Sequence, residues 1–246
     1  MEKKTVIITG AGSGIGKAIA LKFADANYNV VVSDVDEEGG RQVVDQISQQ
    51  SADAIFIKAD VSDRQACKEL VKKTVDKYGA LHCAVNNAGI GGEMNLTADY
   101  SAESYLEVID INQHGVLYGC QAQIPAIINS GGGAIVNMSS ILGSVGTAQS
   151  VAYVMAKHAV VGLTQTAAIE YGKQGVRVNA VGPGYIKTPL LDQLDEEQKE
   201  QLIAAHPIGR LGEPEEVAAL VFWLCSDQAS FVNGSYYTVD GGYTAQ

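Results

Sequence analysis

Short apolar runs alternate with longer helical patterns along this chain, and this alternation restricts the fold more than any other feature. The first run is Val6-Ile7-Ile8, and Val30-Val31-Val32 and Cys83-Ala84-Val85 repeat it. Uninterrupted apolar runs indicate strands that are covered on both faces, as in parallel sheets. Strands that alternate with helices predict such a sheet with helices on both sides. We therefore predict an α/β fold, a doubly wound parallel sheet of about seven strands flanked by helices, in a single domain over residues 1–246.

The predicted elements follow from the hydrophobic period and the length of each segment. Strands are predicted at residues 6–8, 30–32, 54–58, 83–85, 134–138, 176–181 and 236–239. Helices are predicted at residues 17–26, 38–48, 64–78, 104–128, 152–171 and 215–225. No linker or shift in composition divides these elements into separate domains.

The charge balance and the apolar runs exclude several classes of protein. The chain carries 17 Lys and Arg against 28 Asp and Glu, a net charge of −11, and no basic cluster. Binding to nucleic acid is therefore disfavoured. No run has the length of a membrane span or the form of a signal peptide, so we expect a cytoplasmic protein without membrane contact. Neither the four cysteines nor the four histidines have metal-ligand spacing, so no metal site is predicted from them.

A glycine-rich turn follows the first predicted strand. The segment Gly10-Ala11-Gly12-Ser13-Gly14-Ile15-Gly16 stands between a strand and a helix, where glycines permit a tight turn. The helix N-terminus beyond it favours a pyrophosphate, which predicts a dinucleotide site. Asp34 ends the second strand, where a carboxylate can accept both ribose hydroxyls and repel a 2′-phosphate. The alternative for Asp34 is simple capping of the next helix.

Tyr153 and Lys157 stand four residues apart in a predicted helix, so their side chains share one face. A phenol normally holds its proton to a pH of about 10. A neighbouring cation favours the phenolate, so we expect Lys157 to lower the pKa of Tyr153. Such a phenol can exchange a proton with an alcohol or a ketone near neutral pH.

Several motifs together resemble the short-chain dehydrogenase/reductase family. The spacing Gly10-x3-Gly14-x-Gly16 resembles the family's glycine turn, and Ser140 lies thirteen residues before Tyr153, as the family's serine does. The resemblance extends over essentially the whole chain and implies a Rossmann-type fold. The other matching segments are Asn86-Asn87-Ala88-Gly89, Asp110-Ile111-Asn112, and Pro183-Gly184 with Thr188.

The resemblance implies catalytic roles for four residues. Tyr153 is expected to be the acid/base, and Lys157 to lower its pKa and bind the nicotinamide ribose. Ser140 is expected to hold the substrate oxygen, and Asn112 to position a water in a proton relay. The alternatives are that Ser140 caps a strand end and that Asn112 merely interrupts a helix.

The resemblance also implies a set of cofactor contacts, in which Thr188 could equally be a helix N-cap. NADP-preferring relatives tend to carry a basic residue in the glycine turn or just after the second strand. Here these places hold Ser13 and Val35-Asp36, so NAD is preferred over NADP. The expected cofactor-binding residues are Gly10, Ser13, Gly14, Ile15, Gly16, Asp34, Asp60, Val61, Asn87, Ala88, Gly89, Tyr153, Lys157, Pro183, Gly184, Ile186 and Thr188.

The substrate site is expected in the loop after Ser140 and in residues 91–96 and 185–202. The candidate pocket residues there are mainly apolar, and Lys187 is the obvious cation beside them. We therefore predict a small, uncharged, hydrophobic alcohol or ketone as the partner. The candidate pocket residues are Leu142, Val145, Tyr185, Leu190 and Leu191.

The predicted function is thus an NAD-dependent secondary alcohol dehydrogenase or carbonyl reductase. One alternative is a 3-oxoacyl-[acyl-carrier-protein] reductase, which usually prefers NADPH and offers basic residues to its carrier. The helix end 126–130 has no such residue. Enoyl reductases of the same superfamily space their tyrosine and lysine more widely. A remote alternative is a catalytically silent dinucleotide-sensing protein.

The family resemblance also implies a homotetramer. The last predicted helix and strand carry Phe222, Trp223, Tyr236 and Tyr237, which could form core or interface. The C-terminal segment 240–246 resembles that of some R-selective alcohol dehydrogenases, whose terminal residue helps to bind a structural magnesium ion. A magnesium site near Gln246 is a further hypothesis.

Overall fold

Seven parallel strands form one sheet in the order β3-β2-β1-β4-β5-β6-β7, which confirms the predicted fold class. The computed structural model describes residues 3–49, 52–189 and 195–246. Each predicted strand lies within an observed one. The strands are β1 (Thr5–Thr9), β2 (Asn29–Asp34), β3 (Ala54–Lys58), β4 (Cys83–Asn86), β5 (Gly133–Met138), β6 (Val176–Pro183) and β7 (Tyr236–Val239).

The helices connect successive strands and cover both faces of the sheet. They are α1 (Gly14–Asp25), α2 (Glu37–Gln49), α3 (Arg64–Tyr78), α4 (Ala102–Ile109), α5 (Gly115–Asn129), α6 (Val151–Tyr171), α7 (Glu196–Ala204) and α8 (Pro214–Cys225). The predicted continuous helix 104–128 is interrupted by a π-helical turn, Asp110–His114, between α4 and α5. Helix α7 was not predicted from the sequence.

The alternation of side chains along each strand explains why every run is apolar throughout. Val6 and Ile8 of β1 are buried with α1, α2 and α8, whereas Ile7 between them is buried with α3, α5 and α6. Successive residues of a strand point to opposite faces, so a sheet covered on both faces needs apolar residues at every position.

The aromatic residues near the C-terminus pack within the chain. Phe222 meets the ring of Phe23 edge to face, with centroids 5.2 Å apart, and Trp223 meets Tyr237 at 6.4 Å. These contacts fix α8 against α1 and β7.

The strand order places the candidate site. The chain builds β1, β2 and β3 outward in one direction and then returns to place β4 on the other side of β1. In open α/β sheets, ligands bind beyond the carboxyl ends of the strands at this reversal. The glycine turn after β1 and the segment after β4 both lie there.

Candidate active site

The glycine turn lies tightly against the segment that follows β4. Gly10 has φ +62°, and a Cβ there would lie 2.8 Å from the Cα of Ala88. A Cβ at Gly16 would lie 2.1 Å from the carbonyl oxygen of Gly10. Neither position admits a side chain without displacing the backbone. The turn therefore presents bare backbone at the start of α1, as a pyrophosphate site requires.

Thr9 and Asn87 hold this turn in place. The backbone N–H groups of Asn87 and Ala88 donate to Thr9 Oγ1 at 3.0 and 3.2 Å. Asn87 Nδ2 donates to the carbonyl oxygens of Thr9 and Gly10 at 2.9 and 3.1 Å. The Asn87 side chain thus supports the turn, and the cofactor contact expected of this residue stays a prediction. Thr9 was missed, although a polar residue that ends an apolar strand is a usable signal.

Asp34 is fixed beside the glycine turn at the carboxyl end of β2. Its Oδ2 accepts the N–H of Gly12 at 2.8 Å, and its Oδ1 accepts the N–H of Asp36 at 3.0 Å. Asp60 lies at the next strand end, where its carboxylate accepts the N–H and the hydroxyl of Ser62, and Val61 is buried.

Tyr153 and Lys157 lie side by side on α6, as the spacing predicts. The Lys157 ammonium is 5.3 Å from the centroid of the Tyr153 ring and donates to the carbonyl oxygen of Met138 at 2.9 Å. Lys157 is 3 % exposed, and this burial lowers its pKa to about 8. Desolvation disfavours the charged form of a buried amine.

The pKa of Tyr153 differs from the sequence expectation. Burial raises it above the usual value of a phenol, the nearby Ser140 hydroxyl partly offsets this, and Tyr185 raises it further. The expectation that Lys157 lowers it considered only the neighbouring cation. In the structure the ammonium is directed to Met138, and desolvation of the phenol has the larger effect.

Ser140 lies at the end of β5 and faces Tyr153. Its Oγ accepts the N–H of Leu142 at 3.2 Å, so it also caps the short turn Ile141–Gly143. Its carbonyl oxygen accepts the hydroxyl of Tyr236 at 2.6 Å. Ser139 instead donates its hydroxyl to the carbonyl oxygen of Lys157 at 2.9 Å, which ties β5 to α6.

Asn112 is fully buried in the π-helical turn. Its Oδ1 accepts the N–H of Ile90 at 2.8 Å, and its Nδ2 donates to the carbonyl oxygen of Ile90 at 2.7 Å. A Cβ at Gly89 would lie 3.0 Å from Asn112 Oδ1 and 3.6 Å from Lys157 Nζ. Gly89 therefore lies close to both Asn112 and the ammonium of Lys157.

The segment after β6 reaches back toward the glycine turn. A Cβ at Gly14 would lie 3.3 Å from Cγ2 of Thr188. Pro183 ends β6, Gly184 follows it, and Ile186 is buried and pairs with Gly212. Thr188 is thus brought beside the turn that the sequence predicts to bind the dinucleotide.

The other predicted site residues are distributed as follows. Leu142 is buried, and Val145 and Tyr185 are half-buried. Ser13 is the exposed N-cap of α1, and Ile15 lies within the first turn of that helix. Leu190 and Leu191 lie outside the described residues.

The described part of the chain contains no group of three or more His, Cys, Asp or Glu side chains that could hold a metal ion. Gln246 Nε2 donates to the carbonyl oxygen of Ala205 at 3.0 Å. No helix in the same part is long and apolar enough to cross a membrane.

Comparisons with known proteins agree with this geometry. The family model described as Enoyl-(Acyl carrier protein) reductase matches residues 10–244. Cyclohexanol dehydrogenase of Acinetobacter sp. strain SE19 is 49% identical over 243 residues, which cover 99% of this chain and 96% of that protein. A 2,5-dichloro-2,5-cyclohexadiene-1,4-diol dehydrogenase of Sphingobium indicum is 42% identical and covers 98% and 97% of the two chains.

More distant relatives and solved structures extend the match. The 3-oxoacyl-[acyl-carrier-protein] reductase of Staphylococcus aureus is 38% identical over 97% of both chains. The crystal structure of levodione reductase has a TM-score of 0.94 at 37% identity and covers 98% of both chains. The chain therefore belongs to the short-chain dehydrogenase/reductase family, as an oxidoreductase of secondary alcohols and ketones.

Proposed function

We propose that this protein oxidises a small, uncharged, alicyclic secondary alcohol with NAD, and reduces the matching ketone, with Tyr153 as the acid/base. The observation that carries the proposal is the grouping of Tyr153, Lys157 and Ser140. Ser140 lies near enough to Tyr153 to lower the pKa of the phenol, and the ammonium of Lys157 lies 5.3 Å from the Tyr153 ring centroid. The glycine turn lies at the same edge of the sheet.

Each of these residues has a separate role in the proposed reaction. Ser140 Oγ holds the alcohol oxygen, and the Tyr153 phenolate takes the hydroxyl proton as the C–H hydride leaves. Bound NAD supplies the hydride acceptor and a positive ring that favours the phenolate. Lys157 adds a second positive charge next to the phenol. Asn112 fixes Ile90 and borders Gly89, next to Lys157, where a proton relay would have to pass.

A preference for NAD is supported by Asp34. Its carboxylate is held beside Gly12, where it can accept the adenosine ribose hydroxyls and would repel a 2′-phosphate. Asp34→Ala is expected to lower the ratio of kcat/KM for NAD⁺ over NADP⁺ by about tenfold or more. Asp45→Ala removes an exposed carboxylate of α2 outside the predicted cofactor site and should leave the ratio unchanged. An unaltered ratio in Asp34→Ala would refute the role of Asp34.

The ring-shaped substrate is supported by the names of two relatives, cyclohexanol dehydrogenase and the cyclohexadiene-diol dehydrogenase. Leu142 and Val145 follow Ser140 and offer apolar side chains beside the reacting oxygen. The 3-oxoacyl-carrier reductase is less similar, at 38% identity.

The test is formation of reduced cofactor by the purified protein with NAD⁺ or NADP⁺ and cyclohexanol, cyclohexanediols or linear secondary alcohols. We expect turnover of cyclic alcohols with NAD⁺ and its loss in Tyr153→Phe. Tyr78→Phe is the matched control, because the Tyr78 hydroxyl bonds Asp53 away from the site. Cofactor binding without turnover would favour a sensing protein, and turnover only of 3-oxoacyl carriers with NADPH would favour the reductase.

Assembly and location complete the proposal. We expect a homotetramer, in which exposed apolar side chains such as Ile169 and Phe231 are covered, and light scattering tests this.

A structural magnesium would need Gln246 from several copies, since one described chain offers no ligand cluster. Unchanged assembly after chelation and after deletion of Gln246 would rule out this magnesium site.

We expect the protein in the cytoplasm, because its four free, buried thiols suit a reducing compartment.

A further inference from the structure

His206 follows the C-cap of α7 and is buried between two tyrosines. It is 3 % exposed, and its ring centroid lies 5.8 Å from that of Tyr185 and 5.4 Å from that of Tyr243. The neighbouring segment also touches the C-terminal residues, because the N–H of Ile208 donates to the carbonyl oxygen of Gly241 at 3.1 Å. The imidazole is therefore held from several sides.

Both ring nitrogens of His206 have backbone partners, and these define one tautomer. Nδ1 lies 2.7 Å from the carbonyl oxygen of Leu202, which can only accept, so Nδ1 carries a proton. The N–H of Tyr185 donates to Nε2 at 3.3 Å, so Nε2 carries none. The neutral imidazole satisfies both partners, whereas an imidazolium would direct a second N–H at the N–H of Tyr185.

Tyr185 connects this histidine to the reacting groups. It follows Pro183 and Gly184 at the carboxyl end of β6, and a Cβ at Gly184 would lie 2.9 Å from His206 Nε2. Only a glycine allows the imidazole to approach so closely. On its other side, Tyr185 is near enough to Tyr153 to raise the pKa of that phenol.

We propose that neutral His206 is a positioning residue, which holds Tyr185 as a wall of the alcohol-binding site beside Tyr153. The proposal rests on the alcohol oxidation proposed above and adds a residue with no contact to the reacting atoms. Loss of the bond between His206 and the Tyr185 N–H weakens alcohol binding.

Charged and aromatic groups surround the His206 ring. His206, Asp240, Arg210 and Glu216 line one small cavity. The Asp240 carboxylate accepts bonds from Gly242 and Thr244, and Arg210 is paired with Glu216. The phenol rings of Tyr185 and Tyr243 pack against the imidazole.

The kinetic test compares the wild type with His206→Gln and His206→Phe at one neutral pH. Glutamine can still accept the Tyr185 N–H, whereas phenylalanine fills the space without an acceptor. In His206→Gln the KM for the alcohol should stay close to the wild-type value. In His206→Phe it should rise about three- to tenfold, the effect of one hydrogen bond, with kcat changing less.

His82→Phe is the matched control. His82 Nδ1 also accepts a backbone N–H, from Thr5 at 3.0 Å, but at the amino ends of β1 and β4, away from the site. The His82→Phe variant should lose stability without a change in KM. A wild-type KM in His206→Phe, or an equal rise of KM in both His206 variants, would overturn the proposal.

A second measurement separates this proposal from the proposed function. If the wild type oxidises no alcohol, the function fails, and NMR of ¹⁵N-labelled protein still tests His206. The expected result is the Nδ1–H tautomer and a Tyr185 amide signal that shifts in His206→Phe but much less in His206→Gln. A Tyr185 amide signal that is unchanged in His206→Phe would refute the positioning role.

Discussion

Replacing Lys157 by methionine should abolish alcohol oxidation and stabilise the cofactor-free fold. Lys157 is 3 % exposed, and its burial lowers its pKa from 10.5 to about 8. Each unit of pKa change corresponds to about 1.4 kcal/mol. The lowered pKa of Lys157 therefore means that keeping its ammonium charged at pH 7 destabilises the folded state by about 3 kcal/mol. Methionine keeps the apolar stem and removes this cost. Loss of the bond to Met138 offsets about 1 kcal/mol, which leaves a gain of about 2 kcal/mol.

The gain must shrink as pH rises. Because the folded pKa lies below the unfolded one, the cost is fully present below about pH 8 and disappears as pH approaches 10.5. At about pH 9 the cost falls to roughly 2 kcal/mol, so the advantage of Lys157→Met falls by about 1 kcal/mol.

The assay is thermal or urea unfolding of both proteins without cofactor at the two pH values. For a chain of this size, 2 kcal/mol corresponds to a rise in Tm of about 4–8 °C. Tyr153→Phe is the control, since burial raises the pKa of Tyr153 and its phenol is neutral in both states over this range. A variant less stable than the wild type at pH 7, or an advantage that does not shrink at pH 9, would refute the reasoning.

Three other perturbations probe the core and the cofactor turn. Gln123→Leu breaks the reciprocal amide pair with Asn86 and should lower the free energy of unfolding by about 2 kcal/mol in urea titrations, with little change in kcat. Gly16→Ala should weaken NADH binding more than tenfold, because the added Cβ meets the Gly10 carbonyl oxygen. Fluorescence titration measures the affinity, and the circular dichroism spectrum should stay native. An unchanged affinity would contradict this prediction. All four thiols are buried, and burial raises the pKa of Cys67 to about 11 and that of Cys120 to about 12. A thiol reagent should therefore label the native protein slowly at neutral pH and reach four cysteines only after denaturation.

The strands could be predicted because each one is buried on both faces, so its residues form a continuous apolar run in the sequence. The glycine turn could be predicted because its glycines stand where strand and helix meet. Both signals are local, and local signals survive in a single sequence.

The features that the sequence did not predict depend on distant residues. The π-helical turn carries Asn112, whose side chain bonds both backbone groups of Ile90, a residue 22 positions earlier. The Tyr236 hydroxyl reaches the carbonyl oxygen of Ser140 across 96 positions. The pKa of Tyr153 depends on how deeply the fold buries it. Helix α7 is different, because Asp195 and Gln198 form a capping box whose pattern could have been recognised.

The order of the strands has a consequence for synthesis on the ribosome. Each strand that emerges pairs at a free edge of the sheet already made: β2 beside β1, β3 beside β2, then β4 on the other side of β1, and β5, β6 and β7 in turn. No later strand has to be inserted between two that are already paired. Chains are made from the N-terminus, and segments can fold as they emerge. The sheet can therefore grow during translation without any hydrogen-bonded ladder having to open again.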